Sequence, residues 1–82
     1  MNKITVKLFY HLKEKAGKGE IEFSINENFT ISELKHTLID KFPGLQSHLD
    51  NTLVLVNQKV ALDEDLIPPG AQVSFLTPIG GG

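Results

Sequence analysis

The chain ends in three consecutive glycines, and the carboxylate of the last one, Gly82, is the group in this sequence with the clearest chemical use. Glycine has no side chain and the freest backbone. In extended conformation residues 79–82 reach about 13 Å, at about 3.3 Å per residue. Pro78 fixes φ at the root of this segment and removes a hydrogen-bond donor, so the chain should leave the sheet there. We therefore expect a tail that enters a narrow channel in a partner.

The terminal carboxylate needs activation before it can react, because a carboxylate at pH 7 is a poor electrophile. Adenylation would make AMP a leaving group, and sulfide attack on the acyl adenylate would then give a thiocarboxylate. The sequence has no glycine-rich loop between a strand and a helix that could hold ATP. We therefore expect no bound cofactor in this chain, and we expect ATP to be used by a separate activating enzyme.

Other residue types offer little chemistry. The chain has no cysteine, which excludes a disulfide framework, a thiolate metal site and a cysteine nucleophile. Three histidines, His11, His36 and His48, lack metal-ligand spacing, and the acidic run at 63–65 lacks the ligand pattern of a calcium loop. The sequence thus predicts no metal site and a non-catalytic carrier instead of an enzyme with its own active site.

Length and charge narrow the class of partner. A chain of 82 residues is enough for one compact domain, and its net charge of −2 comes without a basic run for nucleic acid. No apolar run approaches the roughly 20 residues that cross a bilayer, and the N-terminus lacks a secretory segment. We expect a cytoplasmic protein whose partners are neither nucleic acid nor membrane.

Two strands and a helix open the chain. Ile4, Val6 and Leu8 alternate with polar residues and predict a strand with these three side chains inward. A short helical turn over 11–16 and a loop then lead to a second alternating strand near 20–25. These two strands should pair as an antiparallel hairpin.

The main helix is predicted at about 31–42. Thr30 and Glu33 fit a capping box, and Phe29 and Leu34 occupy the two positions of a hydrophobic staple. An apolar stripe at helical spacing continues from the cap until Pro43 ends the helix.

Three further strands complete the pattern. Residues 53–56 are continuously apolar and predict a strand buried on much of both faces. A tight turn at 57–58 leads to a short return strand at 59–61, and residues 72–76 form the last strand, whereas 45–51 reads as a loop or short turn. The order β-β-α-β-β-β predicts an α+β β-grasp, or ubiquitin-like, roll with a mixed sheet. We predict one domain over 1–78 and a flexible glycine-rich tail over 79–82.

Alternation also predicts an exposed apolar pair. If Leu8 and Phe75 face the helix, then Phe9 and Leu76 face outward. The first and last strands are neighbours in a β-grasp, so Phe9 and Leu76 should lie together near the tail. Exposed apolar residues in such a place suggest docking.

Several short segments, in their order and spacing, carry a resemblance that covers essentially the whole chain. The segments are Val6-Lys7-Leu8-Phe9, Leu12-Lys13-Glu14, Val56-Asn57-Gln58, Pro69-Gly70 and the run from Val73 to Gly81. Together they resemble the small subunit of molybdopterin synthase, in the superfamily of ubiquitin-like sulfur carriers that includes the thiamine-biosynthesis carrier.

This resemblance implies roles for particular residues. A ubiquitin-activating-like adenylyltransferase would adenylate Gly82, with Gly81 as its neighbour in the reactive end, and a thiocarboxylate would follow. The tail would then insert into the large subunit of molybdopterin synthase and donate sulfur for the dithiolene of the molybdenum or tungsten cofactor. Positions that the family uses for contact with its partner correspond to Phe9, Val60 and Leu76, and tail insertion adds Pro78, Ile79 and Gly80.

Three alternatives stay open from sequence. The first is a sulfur carrier for thiamine or another thio-metabolite. The second is a ubiquitin-like protein modifier joined through Gly82 to lysines. The third is a non-covalent interaction domain in which the terminal glycines are incidental.

Overall fold

The computed structural model of the chain describes residues 2–49 and 52–76. Within them, the strands are β1 Asn2–Leu8, β2 Glu20–Ile25, β3 Leu53–Val56, β4 Lys59–Val60 and β5 Gln72–Leu76. The helices are α1 His11–Ala16, α2 Ile31–Lys41 and α3 Gln46–Leu49, with a 3-10 turn at Pro43–Leu45 between the last two. None of these helices has the length and apolar character of a membrane span.

The strands form one mixed sheet in the order β2-β1-β5-β3-β4. β1 pairs with β2 in antiparallel and with β5 in parallel orientation, and β3 pairs antiparallel with both β5 and β4. The predicted β-grasp fold, the hairpin of the first two strands and the adjacency of the first and last strands are therefore confirmed. β5 lies at the centre of the sheet, with a hydrogen-bonded neighbour on each side.

The core lies between one face of the sheet and α2. Period-two alternation turns Ile4, Val6 and Leu8 of β1 inward, and all three are at most 2% exposed. The apolar stripe of α2 covers them with three side chains that are fully buried, those of Ile31, Leu34 and Leu38. Because one helix stripe and one sheet face bury each other, the opposite face of the sheet is left to solvent or to a partner.

The amino end of α2 is fully capped. The Thr30 hydroxyl oxygen accepts the Glu33 amide at 3.2 Å, and the Glu33 carboxylate accepts the Thr30 amide at 3.1 Å, which is the predicted capping box. The next two amides, those of Ile31 and Ser32, donate to carbonyls in the segment 63–65 at 3.1 and 2.9 Å. That acidic segment is exposed, and its backbone also closes the helix end.

Two predictions about the second half of the chain are wrong in part. The sequence predicts a loop or short turn over 45–51, but the structure has helical turns through Leu49, because Leu45 and Leu49 anchor them in the core at 0% and 1% exposure. The sequence also predicts that the strand at 53–56 is buried on much of both faces. Only one of its faces meets the core: Val54 is 3% exposed, whereas Leu53 is 43% exposed.

Candidate functional site

The predicted reactive end lies outside the described residues. Gly82, Gly81 and Gly80, with Ile79 and Pro78, belong to this segment, so their predicted roles stay predictions. The structure does describe the strand that carries them. Leu76, the last residue of β5, is where the described chain ends at its carboxyl side.

β5 is a firmly held base for the segment that leads to Gly82. Val73 and Phe75 are both 0% exposed, and the strand is paired along its length with β1 on one side and β3 on the other. Beyond the end of β1, the Phe9 amide still donates to the Phe75 carbonyl at 3.3 Å. The point at which the chain continues toward Gly82 is therefore fixed by two ladders of backbone hydrogen bonds.

An apolar patch covers the outer face of the sheet beside this point. Paired residues in a sheet share a face, and the register pairs Leu53 with Leu76 and Leu55 with Val60. Phe9, one residue past β1, lies next to Leu76 by its hydrogen bond to β5. We define the apolar patch as these five residues: Phe9, Leu53, Leu55, Val60 and Leu76.

The patch is open to contact. Val60 is 64% exposed, Leu53 43% and Phe9 36%, while Leu55 and Leu76 are half-buried between their neighbours. The structure thus brings together the three predicted partner-binding residues that it describes, Phe9, Val60 and Leu76. Contiguous exposed apolar side chains near the origin of a tail are typical of a docking surface.

Sequence reasoning missed Leu53 and Leu55. The sequence did contain a signal that Leu55 points outward. A two-residue turn at 57–58 places Leu55 opposite Val60, and a residue opposite an outward one also points outward. The continuous apolar run concealed this signal, since four apolar residues in a row are typical of a strand that is buried on both faces.

The turn that sets this register has a specific local cause. Asn57 and Gln58 both have positive φ, 49° and 71°, as a type I′ hairpin turn requires. The Asn57 side-chain oxygen accepts the Gln72 amide at 3.0 Å, and the Asn57 amide donates to the Gln72 carbonyl at 2.8 Å. The turn therefore joins β3, β4 and the start of β5, and it fixes which side chains form the patch.

The other half of the outer face is polar. On β1 the outward residues include Thr5 and Lys7, which pair with Glu22 and Glu20 of β2. Ser74 separates this polar half from the patch, because it pairs with Lys7 on one side and Leu55 on the other. A partner that buries apolar surface would therefore cover the β5-β3-β4 half and leave the β1-β2 half in water.

Nothing else in the described residues competes as a reactive site. No group of three His, Asp or Glu side chains in them is placed to hold a metal ion. A shallow depression between α2 and α3 is lined by His36, Gln46 and the ion pair of Lys35 with Asp63, whose Nζ and Oδ1 atoms are 2.7 Å apart. This depression lies on the helical side of the sheet, away from the patch.

Three solved structures are similar to this one over nearly all of both chains. The small archaeal modifier protein 1 of Haloferax volcanii is 22% identical, with a TM-score of 0.88, and the match covers 96% of this chain and 100% of that one. A Pyrococcus furiosus protein assigned as molybdopterin converting factor subunit 1 is 18% identical, with a TM-score of 0.87 and the same two coverages. These likenesses establish the fold.

The third structure is a complex of subunits 1 and 2 of the molybdopterin-converting factor from Helicobacter pylori, with 20% identity, a TM-score of 0.70 and coverage of 98% and 99%. No protein of curated function matches the sequence significantly. The model of the ThiS family matches residues 6–82, which includes the patch and the terminal glycines. The chain therefore belongs to the ThiS family and is a ubiquitin-like sulfur carrier.

Proposed function

We propose that this chain is the sulfur-carrying small subunit of a molybdopterin synthase and that it holds sulfur as a thiocarboxylate on Gly82. The observation that carries the proposal is the apolar patch beside Leu76, where β5 continues into the glycine tail. A docked partner would bind the patch and accommodate the tail in the same complex. In this role the folded body supplies binding, and the last glycine supplies chemistry.

The proposed reaction on Gly82 balances over four steps. The carboxylate attacks the α-phosphate of ATP on a separate adenylyltransferase, which forms an acyl adenylate and releases pyrophosphate. Hydrosulfide attacks the acyl carbon and displaces AMP, leaving a thiocarboxylate. In the large subunit the thiocarboxylate sulfur attacks an electrophilic carbon of the pterin precursor and displaces an oxygen leaving group. Water then hydrolyses the acyl–sulfur bond, which leaves the sulfur on the pterin and restores the carboxylate. Two such cycles supply the two sulfurs of one dithiolene.

The comparisons support a large-subunit partner. The similar Helicobacter pylori chain was solved together with a second subunit of the molybdopterin-converting factor. The five residues of the patch resemble the apolar core of a protein interface, where charged side chains are depleted. None of them is charged.

The test is a reconstitution from purified components. The chain would be incubated with ATP, its adenylyltransferase and a sulfide source, and its intact mass measured. We expect the gain that replaces one oxygen by sulfur, located on the C-terminal peptide, and dithiolene product once the large subunit and the pterin precursor are added. A chain that lacks Gly81 and Gly82 should keep its unfolding temperature and form no product.

A protein modifier is the second candidate, because the fold is also that of the small archaeal modifier protein 1. Both functions share the acyl adenylate and differ in the nucleophile, which is sulfide for a carrier and a lysine amine for a modifier. Peptide mapping of native cells separates them. A branched lysine peptide that bears the glycine remnant would support the modifier, and sulfur transfer to thiazole in place of the pterin would support a thiamine carrier.

A further inference from the structure

Tyr10, between β1 and α1, has a backbone conformation that other residue types would adopt more easily. Its φ is 56° and its ψ is −127°, and the Leu12 amide donates to the Phe9 carbonyl at 3.2 Å. Residues 9–12 therefore form a turn with Tyr10 in the first central position of a type II′ geometry. Glycine is favoured there, because a Cβ atom is crowded at this combination of angles.

The other non-glycine residues with positive φ in the described part of the chain differ from Tyr10. They are Asn28, Asn57 and Gln58. Asparagine enters the left-handed region with little strain, and Asn57 and Gln58 together form the hairpin turn described above. Tyr10 is aromatic and isolated, so its conformation is the one that local sequence preference explains least.

The isolated fold makes little use of the Tyr10 ring. The side chain is 56% exposed, and its hydroxyl group makes no hydrogen bond to any residue that the structure describes. Its aromatic neighbour is Phe9, with ring centroids 6.4 Å apart and planes tilted by 47°. Leu12, at 0% exposure, is the side chain that anchors this segment in the core.

We propose that Tyr10 is a partner-contact residue whose ring extends the apolar patch from Phe9 and packs against the large subunit in the docked complex. The inference rests on the proposed function for the identity of the partner. Strained backbone is concentrated at functional sites, where the surroundings enforce it. The turn holds the Tyr10 ring beside Phe9 before docking. Such preorganisation reduces the conformational entropy that is lost on binding.

The chemical character of the tyrosine side chain also suits a protein interface. Tyrosine combines a large apolar area with a polar tip, and it is enriched at protein interfaces and among their hot spots. With Tyr10 included, aromatic surface continues from the sheet onto the turn that precedes α1. The large subunit would thus contact two parts of the chain, the β5-β3-β4 face and this turn.

The experiment compares binding and stability in the same variants. The full chain carrying Tyr10→Gly, Tyr10→Phe or no change is titrated with the large subunit of molybdopterin synthase from the same organism, and Tm is measured for each. We expect Tyr10→Gly to raise Tm by about 4 °C or more, because strain is released, and to raise Kd about tenfold, because the ring is lost. Tyr10→Phe should stay within about threefold of the unchanged chain.

Asn28→Gly is the matched control. Asn28 also has positive φ, 62°, but it follows β2 near Ile25, which pairs with Asn2 at the end of the sheet far from Phe9. Its replacement by glycine should leave Kd unchanged. Such a result would show that a change of backbone preference alone does not weaken docking.

Two results would overturn the inference while leaving the proposed function intact. One is unchanged affinity in Tyr10→Gly when the unchanged chain binds the large subunit. The other is a lower Tm in Tyr10→Gly, which would mean that the ring stabilises the free fold. If the unchanged chain itself failed to bind the large subunit, the proposed function would fail, and the assignment of Tyr10 to that partner would fail with it.

Discussion

Thr30 shows how one side chain can define an element. Its hydroxyl accepts the Glu33 amide at the start of α2, so Thr30→Ala should lower the free energy of unfolding by about 1 kcal/mol. In a domain of this size that corresponds to a Tm lower by about 4–8 °C. Urea or thermal unfolding followed by circular dichroism measures the loss.

Thr37→Ala is the control for this prediction. The Thr37 hydroxyl also bonds to Glu33, but it donates to a carbonyl that is already part of the helix, at 3.0 Å. Such a bond to the preceding turn contributes little to helix stability. Equal losses in the two variants would mean that the cap is not what stabilises the amino end of α2.

Gln58 is a second residue, after Tyr10, at which a change to glycine should stabilise the fold. Its φ of 71° costs a residue other than glycine about 1–2 kcal/mol, and glycine gives back about 0.5–1 kcal/mol through its greater freedom in the unfolded chain. Gln58→Gly should therefore raise the free energy of unfolding by about 0.5–1 kcal/mol, as a higher urea midpoint at unchanged m-value. A lower midpoint would contradict a type I′ turn at this site.

At the scale of the element, the inward and outward side chains of β5 have different roles. Phe75 faces the core at 0% exposure, so Phe75→Ala should cost about 3–5 kcal/mol, a large part of the roughly 5–15 kcal/mol that holds a typical domain folded. Leu76 faces outward and is half-buried. Leu76→Ala should cost less than about 1 kcal/mol and should weaken binding of the large subunit instead.

Urea unfolding and a binding titration on the two variants distinguish the role of β5 in stability from its role in binding. If Leu76→Ala were as destabilising as Phe75→Ala, the outer face would belong to the core of the domain. If Leu76→Ala bound the large subunit as tightly as the unchanged chain, Leu76 would have no part in docking.

The elements differ in how far the sequence determines them. The Thr30 cap and the alternation of Ile4, Val6 and Leu8 are local patterns, and they predict α2 and β1 correctly.

The helical turns through Leu49 depend on two leucines that reach a core built by distant segments, which no local pattern reveals. The exposure of Leu53 depends likewise on the absence of a covering layer on one face, among the residues that the structure describes. Of the candidate site, Phe9 and Leu76 followed from alternation, whereas the position of Leu53 and Leu55 beside β5 required the order of the strands in the sheet.

At the scale of the whole molecule, the outer face has two halves and the predicted partner covers one. Leu55→Lys places a charge within the patch, and Thr5→Lys places the same charge on the polar half, opposite Glu22. Both positions are half-buried and outward, which makes them a matched pair. We expect Leu55→Lys to raise Kd for the large subunit at least about tenfold, and Thr5→Lys to leave it within about twofold.

Calorimetric titration with Tm measured in parallel would test this division. Equal weakening by Leu55→Lys and Thr5→Lys would mean that the large subunit covers the whole outer face. A drop in Tm confined to Leu55→Lys would have to be corrected for before its Kd is interpreted.

The parallel pairing of β1 with β5 has one more consequence. Two parallel strands run the same way, so the first residue of β1 lies at the end of the sheet opposite Leu76. Seven residues of strand put about 20 Å between the two ends of β1. A fluorophore, a surface tether or a fused domain attached ahead of Asn2 would therefore be held well clear of the end that leads to the glycines, and the carrier can be immobilised there without hindering its encounters.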